Sequence, residues 1–225
     1  MKIAYMHIPK TGGTTFKEIL YQNYKEKPVA LLLGKEKLDF FSSLNDHEKL
    51  KYDIVTGHFN YSFASDLPDD FNLFSLIRDP VQRVISHYNF AMIHPSHSNT
   101  DIQKEQIAFD KYLLSASEWT FNYQVHYFSG QHVSNLSDAL IEAQKNLNRF
   151  KFVGILELFD ISLCYLKRKY KWNISYKKYM KTPYKTVETL TPAQEKFLLE
   201  KTWADQILYK TALSKLINQM LYETD

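Results

Sequence analysis

The chain opens with KIAYM at residues 2–6, continues with HIPKTGGTTF at residues 7–16, and then reads KEILY at residues 17–21. The first stretch is apolar and predicts a buried β-strand, whereas the last has the apolar spacing of a helix. A strand, a tight glycine turn and a helix are therefore expected in that order. Gly12 and Gly13 let the backbone approach a ligand closely, and the N-terminus of a helix presents unpaired N–H groups to it. The arrangement predicts an anion-binding loop.

The side chains of this loop suit a multiply charged, phosphate-like group. Lys10 contributes a positive charge, and Thr11, Thr14 and Thr15 contribute hydroxyl groups. The loop is not a Walker A motif, in which the lysine follows the last glycine and precedes Ser or Thr. A plain strand-to-helix turn with a solvated lysine is the alternative reading.

A second anion-binding element is predicted at residues 71–88, FNLFSLIRDPVQRVISHY, which read as a strand followed by a helix. Pro80 suits the first position of the helix, and Asp79 suits its N-cap. Arg78 then lies at the end of the strand, and Ser86 lies roughly two turns along the helix. A guanidinium is always charged and donates two hydrogen bonds to a phosphate, and a serine hydroxyl adds one more.

Two alternatives remain open in this second element. Arg78 and Asp79 could form a purely structural pair at the junction between strand and helix. Arg83 is ambiguous because Asp79 and Arg83, four residues apart, have the spacing of a common ion pair on a helix surface.

Residues 7–15 resemble the 5′-phosphosulfate-binding loop of sulfotransferases, most closely the carbohydrate branch that includes the heparan and uronyl 2-O-sulfotransferases. Residues 78–88 are similar to the 3′-phosphate-binding element of the same family. The resemblance implies 3′-phosphoadenosine 5′-phosphosulfate (PAPS) as the donor and adenosine 3′,5′-bisphosphate as the product. It also implies that Arg78 and Ser86 hold the 3′-phosphate, and that the 5′ end is bound by Lys10, Thr11, Gly12, Gly13, Thr14 and Thr15.

Weaker similarity to the family extends over most of the chain. It covers an Asn-x-Gln segment at residues 122–124, a Val-Gly-x-x-Glu-x-Phe-Asp segment at residues 153–160 and an Asp-x-x-Leu-Tyr segment at residues 205–209. Only the two phosphate-binding loops are specific to the family.

His58 is the predicted catalytic base. It ends the apolar stretch at residues 52–58, which reads as a strand, and ligands of parallel α/β sheets bind at the carboxyl ends of strands. The pair Gly57-His58 resembles the segment that bears the catalytic histidine of 2-O-sulfotransferases. A histidine suits removal of a hydroxyl proton near neutral pH, and Lys10 would stabilise the leaving phosphate. His7 is the rival base, and a structural role for His58 is the alternative.

Alternating strands and helices predict an α/β fold in one P-loop-like domain, residues 1–225, with a central parallel sheet flanked by helices and a helical C-terminal part. Further strands are expected at residues 28–33 and 152–155. Further helices are expected at residues 104–116, at residues 119–128, from Asp138 to Arg149 with Ser137 as its cap, and after a capping box that begins at Thr191.

The composition restricts partners and location. The 225 residues include 28 basic and 25 acidic side chains, a balance that argues against nucleic-acid binding. One cysteine, Cys164, excludes an internal disulfide and is expected to be a buried structural thiol. No apolar leader or membrane-length segment is apparent, which predicts a cytoplasmic protein without a transmembrane segment. A bacterial member of the family is therefore expected, although a trimmed chain of a Golgi-anchored enzyme stays open. No metal is expected.

The leading hypothesis is a sulfotransferase that acts on a carbohydrate acceptor, namely a polysaccharide, an oligosaccharide or a glycolipid. Acceptor contacts are expected from residues 59–61, 94–100 and 167–185. The alternatives are a P-loop nucleotide kinase and a non-catalytic protein that binds a nucleotide or a glycan. The sequence leaves the acceptor hydroxyl and the oligomeric state open.

Overall fold

The computed structural model describes residues 1–93, 107–130, 135–175 and 187–223. Its strands are β1 (Lys2–Met6), β2 (Val29–Leu32), β3 (Ile54–Gly57), β4 (Phe71–Ile77) and β5 (Phe152–Ile155). They form one five-stranded sheet in the order β2-β3-β1-β4-β5, and every neighbouring pair runs parallel. The predicted α/β class with a central parallel sheet is confirmed.

Helices flank the sheet and make up the C-terminal part of the chain, as expected. They are α1 (Gly13–Asn23), α2 (Lys35–Ser43), α3 (Asp46–Lys49), α4 (Tyr61–Ser65), α5 (Pro80–Ile93), α6 (Phe109–Ser115), α7 (Glu118–Phe121), α8 (Tyr123–Ser129), α9 (Leu136–Leu147), α10 (Phe159–Tyr170), α11 (Pro192–Lys201) and α12 (Trp203–Tyr222). A 3-10 turn at Leu156–Leu158 joins β5 to α10.

Two predicted helix caps are present. The Asp79 carboxylate accepts the backbone N–H of Gln82 at 2.9 Å, at the start of α5. At the start of α11, the side chains of Thr191 and Gln194 form the reciprocal bonds of a capping box. Both caps depend on residues three apart, which is why the sequence could predict them.

The predicted helix at residues 119–128 is divided at Asn122 into α7 and α8. The Asn122 side-chain oxygen accepts the backbone N–H groups of Ala204 and Asp205 at 3.1 and 3.0 Å, at the start of α12. The asparagine therefore joins two distant helices instead of continuing one.

The helix α9 begins earlier than predicted. The Asn135 side chain accepts the backbone N–H of Asp138 at 2.9 Å, so Asn135 is the N-cap and α9 starts at Leu136. The prediction that Ser137 caps a helix from Asp138 to Arg149 is wrong because Asn135, two residues earlier, makes the capping bond.

Aromatic side chains fill the core between the sheet and helices α1 and α10. The Phe16 ring lies 4.8 Å from Tyr5 and 5.9 Å from Phe152, measured between ring centroids, and Phe152 stacks on Tyr165 at 5.9 Å. Each such ring contributes roughly 1.5–3 kcal/mol on burial. This packing fixes α1, and with it the loop that precedes α1, against the sheet.

A separate apolar cluster holds α5. Val84 and Tyr88 of α5 pack with Phe109 and Tyr112 of α6 and with Leu198 of α11. All five side chains are at least nine-tenths buried. The cluster fixes the direction in which α5 leaves the end of β4.

The prediction that Cys164 is buried is wrong, because Cys164 is exposed on α10. The buried face of this helix consists of Ser162, Leu163, Tyr165 and Leu166. Cys164 lies between these two pairs in the sequence, and its side chain therefore points to the opposite side of the helix.

Some expectations lie outside the described residues. These are the acceptor loop at residues 94–100, the start of the predicted helix at residues 104–106, and residues 176–185 of the predicted arm. No helix within the described ranges is both long and apolar enough to cross a membrane.

Candidate active site

The carboxyl ends of β1, β3 and β4 bring Lys10, His58 and Arg78 to one edge of the sheet. The His58 ring lies 2.9 Å from the backbone carbonyl oxygen of His7, measured from Nδ1. The Arg78 Nη1 donates to the backbone carbonyl oxygen of Lys10 at 3.3 Å. Three segments that are distant in sequence thus meet around the loop after β1.

Two glycines shape this loop. Gly12 has a φ of +86° and is the N-cap of α1, and no side chain caps the helix. A Cβ on Gly13 would collide with the His7 ring and would lie 2.7 Å from the Tyr5 hydroxyl. The first N–H groups of α1, at Gly13, Thr14 and Thr15, have no intrahelical acceptor, as at any helix start. They form a ready anion-binding site.

The three threonines differ in how accessible they are. The Thr11 hydroxyl is fully buried and donates to the Ile8 carbonyl at 2.8 Å. It therefore holds the loop closed instead of facing a ligand. Thr15 is also buried, whereas Thr14 is half-buried. Thr14 is consequently the threonine whose hydroxyl is best placed to meet a bound anion.

Lys10 adopts an unusual backbone conformation, with a φ of +71°. A left-handed residue other than glycine costs about 1–2 kcal/mol. Its ammonium nitrogen lies 4.0 Å above the centre of the Phe90 ring on α5. Burial, followed by the nearby charge of Arg78, lowers the pKa of Lys10 to about 8. The loop thus holds a lysine that loses its proton more readily than a solvated one.

Arg78 is held at both its backbone and its side chain. Its backbone N–H donates to Gln124 Oε1 at 2.8 Å, and its carbonyl accepts from Gln124 Nε2 at 2.9 Å. The Arg78 Nε is buried without a hydrogen-bond partner and lies 3.7 Å from Glu157 Oε1. The other carboxylate oxygen of Glu157 accepts the backbone N–H of Asp79 at 3.0 Å. Of the five guanidinium N–H donors, Nε faces Glu157 and one on Nη1 bonds to Lys10, so those that remain on the Nη atoms are the donors that could meet an anion.

Ser86 and His87 lie on the part of α5 that faces the loop. Ser86 is four residues from Phe90 and so shares the helix face on which Lys10 rests. His87 Nδ1 lies 3.0 Å from the Tyr112 hydroxyl. Burial, then the charges of Arg83 and Lys10, lower the pKa of His87 to about 4. His87 is consequently a neutral neighbour of the loop.

Arg83 is buried, and its guanidinium is already engaged by other residues of the protein. Its side chain is 1% exposed, and its Nη2 donates to the backbone carbonyl of Thr120. The guanidinium also lies 5.2 Å from the centre of the Tyr123 ring. The surface ion pair with Asp79, considered from the spacing, is therefore wrong, because Arg83 points into the protein towards α7 and α8.

The geometry of His58 leaves one ring nitrogen free. A carbonyl oxygen only accepts hydrogen bonds, so the Nδ1 that faces the His7 carbonyl carries the proton. The Nε2 then has a free lone pair. Burial lowers the pKa of His58, the bond to His7 raises it, and the charge of Lys17 lowers it, with a net decrease. His58 is therefore neutral at pH 7. The residue is packed on the side that faces His7, whereas part of its surface stays open to solvent.

His7 is buried behind His58. Its side chain is 8% exposed, and its ring centre lies 4.6 Å from that of His58 and 5.7 Å from that of Tyr5. Burial, then His58, Lys17 and Lys10, lower its pKa to about 3. His7 is a neutral part of the wall behind the loop.

The expected acceptor segment at residues 59–61 has mainly structural contacts. Phe59 is 2% exposed, and Asn60 caps α4 by accepting the N–H of Phe63 at 3.4 Å. In the described part of the 167–185 arm, Trp172 is buried in the core. Across the described ranges, no three His, Cys, Asp or Glu side chains cluster as ligands for a metal ion.

Gln124, Glu157 and Asp205 are the site residues to which sequence reasoning assigned no role. All three fall in the segments that resemble the sulfotransferases weakly, at residues 122–124, 153–160 and 205–209. The signal available in the sequence was that each of them is a polar residue at a fixed position of a segment that resembles the family. Their partners, however, are 46 to 81 residues away in the chain.

A family model matches nearly the whole chain. Residues 1–224 match the model of the sulfotransferase family. A protein-tyrosine sulfotransferase of Arabidopsis thaliana is 26% identical over 135 residues, which cover 55% of this chain and 25% of that protein. The chain thus spans a quarter of the length of this curated relative. A solved sulfotransferase structure from Alicyclobacillus acidocaldarius gives a TM-score of 0.46 at 12% identity, over 96% of this chain and 99% of that one.

Proposed function

Because the chain belongs to the sulfotransferase family, we propose that it transfers the sulfuryl group of PAPS to a hydroxyl of a carbohydrate acceptor. The second product is adenosine 3′,5′-bisphosphate. The proposed donor rests on the motifs of the two loops, and the proposed acceptor class rests on the resemblance of residues 7–15 and of Gly57-His58 to the 2-O-sulfotransferases.

The meeting of two anion-binding elements carries the proposal. The open N-terminus of α1 and the Arg78 guanidinium belong to distant parts of the chain, yet Arg78 donates to the carbonyl of Lys10 at 3.3 Å. The chemistry of both elements fits a donor with an anionic group at each end. Gly13, Thr14 and Thr15 would hold the 5′ end through their N–H groups, and Arg78 and Ser86 would hold the 3′-phosphate.

His58 and Lys10 have the properties that the chemistry requires. As the acceptor oxygen bonds to sulfur, the bond between sulfur and the 5′-phosphate oxygen breaks, and the hydroxyl proton passes to Nε2 of His58. The Nδ1 proton of His58 is held by the His7 carbonyl, so the ring takes up the new proton at the free nitrogen. The Lys10 ammonium would offset the negative charge that develops on the leaving phosphate oxygen.

There are two candidate acceptors, a sugar hydroxyl and a tyrosine hydroxyl. The resemblance of residues 7–15 and of Gly57-His58 to the 2-O-sulfotransferases favours a sugar hydroxyl in a polysaccharide, an oligosaccharide or a glycolipid. The similarity to a protein-tyrosine sulfotransferase favours a tyrosine hydroxyl instead. A cytoplasmic location and a bacterial source remain predictions.

Calorimetric titration in EDTA tests the donor. We expect adenosine 3′,5′-bisphosphate to bind much more tightly than adenosine 5′-monophosphate, and we expect Arg78→Ala to remove the difference. ATP is the control for the kinase alternative. A preference for ATP that magnesium restores, or an unchanged bisphosphate affinity in Arg78→Ala, would contradict the proposal.

Incubation with PAPS tests the acceptor. A panel of uronic-acid oligosaccharides and a panel of tyrosine peptides are compared by mass spectrometry for the gain of one sulfuryl group. Sulfation of the oligosaccharides alone supports the carbohydrate proposal. Sulfation of the peptides alone replaces it with the tyrosine candidate, and tight bisphosphate binding without any turnover would favour the non-catalytic alternative.

A further inference from the structure

We propose that Gln124, held in turn by Asp205, is a positioning residue that fixes Arg78 for the 3′-phosphate of the donor. This inference rests on the proposed function. Gln124 bonds to the backbone N–H and carbonyl of Arg78, so it would act through that backbone.

Gln124 completes the hydrogen bonds of β4 where the sheet ends. The pairing of β4 with β1 ends at Ser75, and its pairing with β5 ends at Ile77. Arg78 follows, one residue beyond the later of these two ends. The side-chain amide of Gln124 donates and accepts like a peptide group, and it bonds to the N–H and the carbonyl of Arg78, at 2.8 and 2.9 Å. Arg78 is thereby fixed one residue beyond the sheet.

Asp205 determines which way the Gln124 amide points. One carboxylate oxygen of Asp205 accepts from the backbone N–H of Gln124 at 3.2 Å and from its Nε2 at 3.3 Å. The other oxygen accepts the N–H of Val125 at 2.7 Å. A carboxylate accepts and does not donate, so Nε2 must face Asp205 and Oε1 must face the N–H of Arg78. Gln124 and Asp205 are both fully buried.

A small displacement of this backbone would matter for binding. From its fixed position, the Arg78 side chain reaches the Lys10 carbonyl at 3.3 Å and Glu157 at 3.7 Å. Two-point recognition of a phosphate by a guanidinium depends on such an orientation. Loss of the two bonds between Gln124 and Arg78 should therefore weaken contact with the 3′-phosphate much more than contact with the 5′ end, which the first N–H groups of α1 would hold.

Calorimetric titration of the intact chain tests this inference with adenosine 3′,5′-bisphosphate and adenosine 5′-monophosphate, which differ only in the 3′-phosphate. The measured quantity is the ratio of the two affinities. Gln124→Met keeps the length of the side chain and removes both bonds to Arg78. A loss of about tenfold in the ratio is expected, the size of one charge-assisted hydrogen bond, with a much smaller change in monophosphate affinity. A merely structural role would lower both affinities together.

Two further variants make the measurement specific. Gln144→Met is the matched control, because Gln144 is half-buried and bonds to Thr211 at 2.9 Å, between α9 and α12. Its ratio should equal that of the wild type. The double variant Arg78→Ala/Gln124→Met should lose no more of the ratio than Arg78→Ala alone, since both changes remove the same contact.

The outcomes separate the inference from the proposed function. A wild-type ratio in a folded Gln124→Met variant, or an equal loss for both nucleotides, overturns the positioning role and leaves the proposed donor intact. If Gln124→Met does not fold, Asp205→Asn takes its place, and a wild-type ratio in that variant likewise overturns the inference. If the wild type itself does not prefer the bisphosphate, the proposed function fails, and the positioning role fails with it.

Discussion

His58 Nδ1 lies 2.9 Å from the backbone carbonyl oxygen of His7, across the carboxyl ends of β3 and β1. The bond connects the histidine to the first residue of the loop that forms the proposed 5′ site. Any acceptor oxygen that bonds to Nε2 of His58 is thereby placed relative to that loop.

We expect His58→Ala to lower turnover by about 10²- to 10⁴-fold, the usual contribution of a general base. Binding of adenosine 3′,5′-bisphosphate should not change, because the proposed role of His58 concerns the acceptor hydroxyl and not the donor. Radiolabelled sulfuryl transfer and calorimetry measure the two quantities. His47→Ala, at an exposed position of α3, is the control. Full turnover in His58→Ala would leave the histidine with a structural role only.

The pH profile of kcat/KM should be bell-shaped. The acid limb should lie below 6.5, the usual value of a histidine, because the pKa of His58 is lowered and its neutral form is the base. The basic limb should lie at about 8, where Lys10 loses the proton that it needs. Lys10→Arg should retain the acid limb and lose the basic one, since a guanidinium stays charged. A basic limb that persists at the same pH in this variant would assign it to another group.

Gly13→Ala should damage the loop more than a comparable change elsewhere. The new Cβ would collide with the buried His7 ring, and overpacking of this kind costs about 1–3 kcal/mol. Gly34→Ala is the control for nucleotide binding, because Gly34 lies outside the loop. Among the described residues, no heavy atom beyond its chain neighbours lies within 4 Å of a Cβ there, but its φ of +84° and ψ of 159° strain any residue with a side chain. Gly13→Ala should lower both the temperature of thermal unfolding and the affinity for the bisphosphate. Gly34→Ala should also lose stability, by about 1–3 kcal/mol of backbone strain, but it should bind the bisphosphate like the wild type. Unimpaired nucleotide binding in Gly13→Ala would contradict the role of the loop.

Buried His7 should make the protein less stable in acid. Its pKa falls from 6.5 to about 3 on folding, so below pH 6.5 the unfolded chain binds a proton that the folded chain does not. The free energy of unfolding therefore falls as pH decreases through this window, by about 2 kcal/mol at pH 5 from this residue. His7→Gln should show a smaller drop between pH 7 and pH 5 in urea unfolding. An equal drop in wild type and variant would contradict this account.

Local features of the fold could be predicted from the sequence. The Asp79 cap, the Thr191 capping box and the strands at residues 54–57 and 152–155 depend on neighbours within a few positions. The order of residues in the two loops likewise placed Lys10 and Arg78 at strand ends. Residues that are close in sequence determine these features, so they can be predicted from a single sequence.

Contacts between distant segments could not be predicted in this way. Gln124 and Arg78 are 46 residues apart, and their bonds require α8 to lie beside the end of β4. The burial of Arg83 depends on α7, which packs over that face of α5. A helical spacing of four residues is equally consistent with a surface pair and with a buried side chain, and only the packing partners distinguish the two.

The order of the strands has a consequence for the location of the site. After β1, the chain goes to β2 on one side of the sheet, and after β3 it crosses to β4 on the other side. The connections therefore diverge at β1, and such a topological switch point leaves a crevice at the carboxyl ends of the strands. The crevice is a property of the chain path and not of any side chain. Substitutions at Lys10, His58 or Arg78 would accordingly change what the crevice binds and catalyses, but not where it lies.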